Sequence, residues 1–346
     1  MVRWEHETKP FIRTTEFLWQ EGHCAFATES GARQNAYEMA QVYRSFMTEV
    51  CALPVILGEK STAERFAGAV QTYCLEAMMQ DGKAVQAGTS HYLGTNFATG
   101  ADIQFVDTNN REKYAHTTSW GVSTRLIGTL IMTHSDDDGL RLPPRLAPYH
   151  VVIIPSGRPG TQRDAYIDRI EKLFQEAKFA DRAVSVEIDQ RDTQAGTKKY
   201  EWIKKGIPIR LEIGAREASA ETVTVYRRDQ NRDQSTVVKM NELVPFVIQT
   251  LGMIQAHYYQ QAHDFLNTHM RTDLTTLQEL QEYFSNPENI GFVQAKWCGD
   301  AKPEELLKQD FKVTIRCIPE KQTRTQGTCI LTGKPATMDV IFGKSY

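Results

Sequence analysis

Two short clusters near the start of the chain bring together residue types that could work on a phosphate. Arg3-Trp4-Glu5 is followed by a polar loop and then by Arg13-Thr14-Thr15-Glu16-Phe17-Leu18-Trp19-Gln20-Glu21. Strand alternation would put Arg3 and Glu5 on one face, and Arg13, Phe17 and Glu21 on one face of a returning strand. Two guanidiniums, a ring and two carboxylates would then converge over one site. An in-line attack on a phosphorus asks for positioned positive charge and a held base rather than a protein nucleophile, and this set can supply both. Charge alternation alone would favour a plainer reading, an exposed hairpin of solvated ion pairs.

Other clusters carry less. His134-Ser-Asp-Asp-Asp138 offers carboxylates of the kind that bind hard cations, but exposed charge runs are usually solvated, and the segment reads as a turn. Cys24, Cys51, Cys74, Cys298, Cys317 and Cys329 are widely spread and read as reduced thiols rather than a disulfide framework. The net charge of -3 and a pI near 6.3 give no global positive field, so any RNA site must be local. The first 30 residues lack an apolar signal core and no run approaches the roughly 18 apolar residues of a membrane span, so a cytoplasmic protein is expected.

The elements that must position these residues fall into three textures, and 346 residues with 41% hydrophobic side chains suffice for two or three globular domains. Residues 1–30 read as strand, loop, strand. Ala32 to Ala52 carries a helical stripe through Ala36, Met39, Ala40, Tyr43 and Met47, ended before Pro54. Short apolar runs at Ala101 to Val106, Thr118 to Thr124, Ile127 to Thr133 and Gly139 to Leu142 then favour an antiparallel sheet. From His150 the pattern changes to buried strands at His150 to Pro155, Ala183 to Ile188, Ile207 to Ile213 and Thr222 to Tyr226, with a helix from Arg163 to Ala177, which predicts a small three-layer α/β domain. A long helix from Met240 to about Leu266 leads to a last unit of short helices and the apolar run Met338 to Phe342.

The first cluster resembles motif 2 of the class II aminoacyl-tRNA synthetases, with all five signature positions occupied. Phe11-Ile-Arg-Thr-Thr-Glu-Phe-Leu-Trp-Gln-Glu-Gly-His23 is similar to the signature of the prolyl enzymes of the archaeal and eukaryotic type. Further matches follow in order: Glu64-Arg-Phe-Ala-Gly68, Gln86-Ala-Gly-Thr-Ser-His91, Ser119-Trp-Gly-Val-Ser-Thr-Arg125 and Gly139-Leu-Arg-Leu-Pro-Pro-Arg145, the last at motif 3. The resemblance implies an α+β fold: a class II antiparallel-sheet catalytic domain over 1–148, an α/β anticodon-binding domain over 149–250 and a small α+β C-terminal domain over 251–346. It implies ATP-dependent activation of proline and its transfer to the proline tRNA. It also implies ATP and magnesium as cofactors and a homodimer.

By the same resemblance Arg3 binds the α-phosphate and the proline carboxylate, Arg13 the γ-phosphate, Phe17 stacks on adenine, Glu5 reads its amino group and Arg145 lies against adenine and the γ-phosphate. Gln86, Thr89, Ser123 and Arg125 contact the nucleotide, with Gln86 near the magnesium. Trp19, Glu21, Phe66, His91 and Trp120 form the proline pocket, where aromatic faces suit a small ring with a secondary ammonium. Ordinary core packing competes with that reading for each aromatic taken singly. Lys198, Lys199 and Arg216, with Lys204 and Lys205 nearby, are expected to offer the tRNA backbone a local basic face. Trp202 matches the family, but Ile203 stands where relatives carry an acid.

The C-terminal unit departs from zinc-bearing relatives, which carry four cysteines. Cys298 finds Pro303 at the partner position, and Cys329 finds Leu331 with Thr332 next to it. Two thiolates do not close a tetrahedral site, so no zinc is expected. Relatives also carry motif 1 and a Thr-x-Glu loop upstream of the Arg-x-Glu segment, with no visible counterpart here. A truncated synthetase-like protein that binds tRNA or nucleotide without aminoacylation is the alternative reading, and a piece of a longer active enzyme is a third.

Overall fold

The computed structural model describes residues 2, 4–5, 7–157 and 160–346. The role read for Arg3 therefore lies outside the described residues. The described chain forms two compact units. The first takes in Met1–Thr48, Leu53–Thr133 and His263–Tyr346, and the second Glu49–Ala52 and His134–Ala262.

The main strands in chain order are β1 (Trp19–Phe26), β2 (Ile56–Glu59), β3 (Gln71–Met78), β4 (Ala84–Gly94), β5 (His116–Ser123), β6 (Val151–Pro155), β7 (Val186–Ile188), β8 (Ile209–Ile213), β9 (Thr222–Arg227), β10 (Ser235–Lys239), β11 (Met270–Arg271), β12 (Phe292–Trp297), β13 (Val313–Pro319) and β14 (Met338–Lys344). The first unit is built on one nine-stranded sheet, ordered β1-β5-β4-β3-β2-β13-β14-β12-β11. Its two halves join where Ile318 and Pro319 of β13 pair antiparallel with Glu59 and Gly58 of β2. Gly58 is required at that seam, because a Cβ there would stand 2.4 Å from the Ile318 carbonyl oxygen. Cys74, Ala84, Phe292, Cys317 and Ile341 form the core that spans it.

Helix α1 (Glu29–Ser45) covers one face of the sheet. The Thr28 hydroxyl caps it by accepting the Gly31 N–H at 3.2 Å, and Ala32, Ala36, Ala40 and Tyr43 form its buried stripe. The small alanines let the helix lie close to the strands, so that the Ser90 hydroxyl of β4 donates to the Ala36 carbonyl. A wider π-type turn, Phe46–Val50, ends it. The opposite sheet face is left for the site.

Two extended runs read from sequence are not strands. Ile127 to Thr133 lies in helix α2 (Arg125–His134). Short apolar runs do not distinguish helix from strand by pattern alone. Here the Ser123 hydroxyl accepts the Arg125 N–H, and the Thr129 and Thr133 hydroxyls donate to carbonyls one turn back, at Arg125 and Thr129. Gly139 to Leu142 is irregular: the Leu140 and Leu142 N–H groups donate to the Lys204 and Gly206 carbonyls.

The second unit has a five-stranded sheet ordered β7-β6-β8-β9-β10, in which β6 pairs parallel with both neighbours. Both faces of β6 are buried. Val151 and Ile153 face α3 (Thr161–Leu173) and the early turns of a long helix, Leu243–Thr268. Val152 and Ile154 face Trp202 of helix Ala195–Lys204. This gives the three layers expected of an apolar parallel strand.

Candidate functional site

The uncovered face of the first unit's sheet floors a cavity of about 560 Å³. Cross-strand register builds the floor: Glu21 of β1 and Thr89 of β4 both pair with Gly121 of β5, Trp19 pairs with Ser123, and His91 pairs with Ser119. Glycine at position 121 keeps the middle of that row open. Gln86, three residues before Thr89, would point to the opposite face of a regular strand. A bulge between Leu75 and Glu76 sets Gly88 opposite Leu75 but Gln86 opposite Glu76, leaving Ala87 as the extra residue. That one-residue insertion brings Gln86 into the cavity beside Thr89.

Of the residues singled out from sequence as nucleotide contacts, Phe17, Gln86, Thr89, Ser123 and Arg125 line this cavity, and so do Trp19, Glu21, Phe66, His91 and Trp120 of the expected amino-acid pocket. Phe17 and Trp19 meet edge to face at 6.2 Å. Phe66 tilts over the His91 ring at 4.8 Å. The His91 ring nitrogens lie 2.9 Å from the Thr72 hydroxyl and 3.1 Å from the Thr89 hydroxyl. Burial pushes its pKa down to about 4, so the ring is neutral at pH 7 and does not repel a cationic amine. The Trp120 indole lies over Gly22, where a Cβ would be 2.2 Å from Cε2, so the glycine is needed for the indole to lie where it does.

Glu5 and Arg13 sit apart from the main cavity lining. Arg13 Nη1 donates to Glu5 at 3.4 Å, and Nη2 donates to the Tyr346 carbonyl at 2.7 Å. Arg13 instead lines an adjoining chamber of about 160 Å³ that shares Gln86 and Arg125 with the larger cavity. Arg145 belongs to the second unit, where its backbone N–H donates to Gln255 and its guanidinium lies near Glu49.

Sequence reading missed Lys60, Glu64, Thr72 and Ser119 in the cavity wall, and Arg316 in the chamber. Lys60, Glu76 and Arg316 form a buried cluster. Lys60 Nζ donates to Glu76 at 2.7 Å, and Arg316 donates to Glu76 through Nε at 3.0 Å and Nη2 at 2.9 Å. Burial opposes ionisation of Glu76, but the two cations hold its carboxyl below the ordinary range. Only Glu64-Arg-Phe-Ala-Gly68 and its neighbour Lys60 carried a local signal; the contribution of a residue 240 positions beyond Glu76 had none.

The second unit has its own cavity of about 350 Å³, lined by Asp136, Arg141, Ile203, Arg210, Tyr226 and Arg228 among others. Asp136 accepts from Arg228 and is also paired with Arg141 at 2.8 Å, so the acidic turn is tied into structural ion pairs. His134 sits buried with Nε2 2.9 Å from the Cys51 carbonyl oxygen. The basic face is narrower than the sequence implies. Lys198 is buried, its ammonium donating to the Asp189 carbonyl at 2.9 Å, because Asp189 also anchors Trp202 and Arg191 on the same side of the helix. Lys199 is half-buried against Glu212, while the Arg216 side chain is 89% exposed. In the first unit the Cys298 thiol lies 3.4 Å from the Thr332 hydroxyl, and Cys329 is buried beside it. Among the described residues no group of three or more His, Cys, Asp or Glu is arranged to hold a metal ion, and no helix is long and apolar enough to cross a membrane.

Three family descriptions match successive parts of the chain: the tRNA synthetase class II core domain (G, H, P, S and T) over residues 1–134, an anticodon binding domain over 150–250, and a prolyl-tRNA synthetase C-terminal domain over 280–346. A proline--tRNA ligase of Protochlamydia amoebophila is 49% identical over all of this chain and 70% of its own length. That of Symbiobacterium thermophilum is 47% identical over all of this chain and 71% of its own. Among solved structures, a prolyl-tRNA synthetase from Cryptosporidium parvum complexed with L-proline and AMP superposes with a TM-score of 0.93 at 33% identity, over all of this chain and 71% of that one. The same enzyme complexed with halofuginone and AMPPNP gives the same score and identity.

Proposed function

The chain belongs to the prolyl-tRNA synthetase family, whose members are aminoacyl-tRNA ligases, and on that premise we propose that it activates proline with ATP and transfers it to the proline tRNA. The observation that carries this reading is the single cavity of about 560 Å³ whose wall combines an aromatic end (Trp19, Phe66 and the neutral His91) with a polar and cationic end (Gln86, Thr89, Ser123, Arg125). The first suits a small apolar ring with an ammonium, and the second a nucleotide. We assign proline to Trp19, Glu21, Phe66, His91, Trp120 and Arg3, with Glu21 facing the amine. ATP is assigned to Arg3, Glu5, Arg13, Phe17, Gln86, Thr89, Ser123, Arg125 and Arg145.

In this mechanism the proline carboxylate attacks the α-phosphorus in line, and arginines spread the charge that develops as pyrophosphate departs. The terminal ribose hydroxyl of the tRNA then takes the prolyl group from the adenylate, with no covalent enzyme intermediate. Gln86 offers one amide oxygen to the cavity. Magnesium takes few protein ligands and keeps phosphate oxygens and waters, so this donor fits an ion carried in with ATP. When bound, the ion would offset phosphate charge.

The finer readings are part of the same proposal: the archaeal and eukaryotic subtype, with motif 1 not among these residues; domains over 1–148, 149–250 and 251–346; a homodimer; a cytoplasmic setting. For the tRNA we retain Lys199 and Arg216 as backbone contacts and leave out the buried Lys198. Proline-dependent exchange of pyrophosphate into ATP tests the first half-reaction. Exchange well above the no-proline control is expected; none, from folded protein that still binds the tRNA, would leave the non-aminoacylating reading in its place.

A further inference from the structure

The chamber of about 160 Å³ beside the main cavity is lined by the guanidiniums of Arg13, Arg125 and Arg316, together with Gln86, Ser345 and Tyr346. No acidic side chain is among its described lining residues. The carboxylates of these arginines lie elsewhere: Glu5 at 3.4 Å from Arg13, and Glu76 bound to Arg316. Arg316 is 7% exposed and is held from two sides, by Glu76 and by the Thr314 hydroxyl at 3.0 Å from Nη1. Glu76 is in turn the cross-strand partner of Gln86 at the bulge. A guanidinium fixed this firmly, with Nη1 and Nη2 each bearing a second N–H, is a preorganised donor for an oxyanion.

Resting on the proline-activation reading, we propose that this chamber receives the pyrophosphate leaving group and that Arg316 is the residue that makes it an anion site. As proline's carboxylate oxygen bonds to the α-phosphorus, the bond from that phosphorus to the bridging oxygen breaks. The electron pair leaves on pyrophosphate, whose added negative charge develops at the cavity end that opens into the chamber. Gln86 and Arg125, shared by both spaces, stand at the passage. Arg316 comes from β13, so the C-terminal part of the sheet takes part in the chemistry of the N-terminal part.

The test compares the unaltered chain with Arg316→Gln and with Ser345→Asp, which puts a carboxylate at the chamber from an exposed position. In ATP–pyrophosphate exchange, both variants should raise the KM for pyrophosphate at least tenfold while the KM for proline stays within twofold, a split that mere loss of packing would not give. An unchanged pyrophosphate KM in folded Arg316→Gln, or in Ser345→Asp, overturns the proposal. If Arg316→Gln does not fold, Ser345→Asp decides alone. If the unaltered chain shows no exchange, the activation reading fails separately. Calorimetric titration with inorganic pyrophosphate then decides the chamber: binding that Ser345→Asp weakens supports it, and no binding sinks it.

Discussion

The cavities of the two units treat their arginines in opposite ways. In the second unit each guanidinium has a carboxylate of its own: Arg228 and Arg141 on Asp136, Arg227 on Asp229, Arg210 on Glu212. In the first unit's chamber, Arg13, Arg125 and Arg316 converge with no acidic described residue in the lining. Charges matched within the fold hold a fold together. Charges gathered around a void with no matching carboxylate raise the free energy of the empty site and lower it again when an anion enters.

The largest break in this contrast should come from Arg3→Ala. Proline-dependent exchange should fall by about 10³-fold, as for loss of a donor to developing charge, with the thermal midpoint unchanged. Arg228→Ala should do the reverse, lowering stability while exchange stays within threefold. A near-normal rate in Arg3→Ala would show that the first cluster is structural after all.

Next in size is the buried cluster. Glu76→Ala strands Lys60 and Arg316, both under 10% exposed, and should cost about 3–5 kcal/mol by denaturant unfolding. Asp136→Ala removes a carboxylate that is 30% exposed and should cost only about 1–2 kcal/mol. Equal losses would erase the difference drawn between the two sites.

Acid should act on both units but be read differently. Burial holds His91 in the first unit and His134 in the second at about 4, against 6.5 unfolded. Their folded pKa values are depressed and the neutral form is favoured. The stability they contribute is therefore full above pH 6.5 and is lost as pH falls from 6.5 towards 4, on the order of 2 kcal/mol each. His91→Gln should flatten part of that slope and raise the KM for proline; His134→Gln should flatten it with the KM unchanged. The smallest effect belongs to the exposed Arg216: its replacement by Ala should weaken tRNA binding severalfold at most and reduce the salt slope by about one.

What the sequence made legible follows from distance along the chain. Phe17, Trp19, Glu21, Gln86, Thr89, His91 and Ser123 sit in short signatures whose spacing already implies a shared face, and they share one cavity. Arg316 stayed hidden because its partner Glu76 is 240 residues away, and no local pattern announces that β13 returns to β2. Helix α2 was mistaken for a strand because Ile127 to Thr133 is equally apolar in either form, and the deciding hydroxyl bonds of Thr129 and Thr133 are tertiary detail. Lys198 reads as surface from its type, whereas Asp189 draws it inward.

The seam between β2 and β13 also sets a clock. Gly58 and Pro319 are about 260 residues apart, and their pairing closes the sheet. During synthesis at about 5–20 residues per second, the N-terminal strands would wait roughly 13–50 s for that partner. Until then Glu76 has no Arg316, and the chamber lacks one of its three cations. A nascent chain carrying every ATP signature up to residue 145 would thus remain a poor consumer of ATP until its far end had emerged and docked.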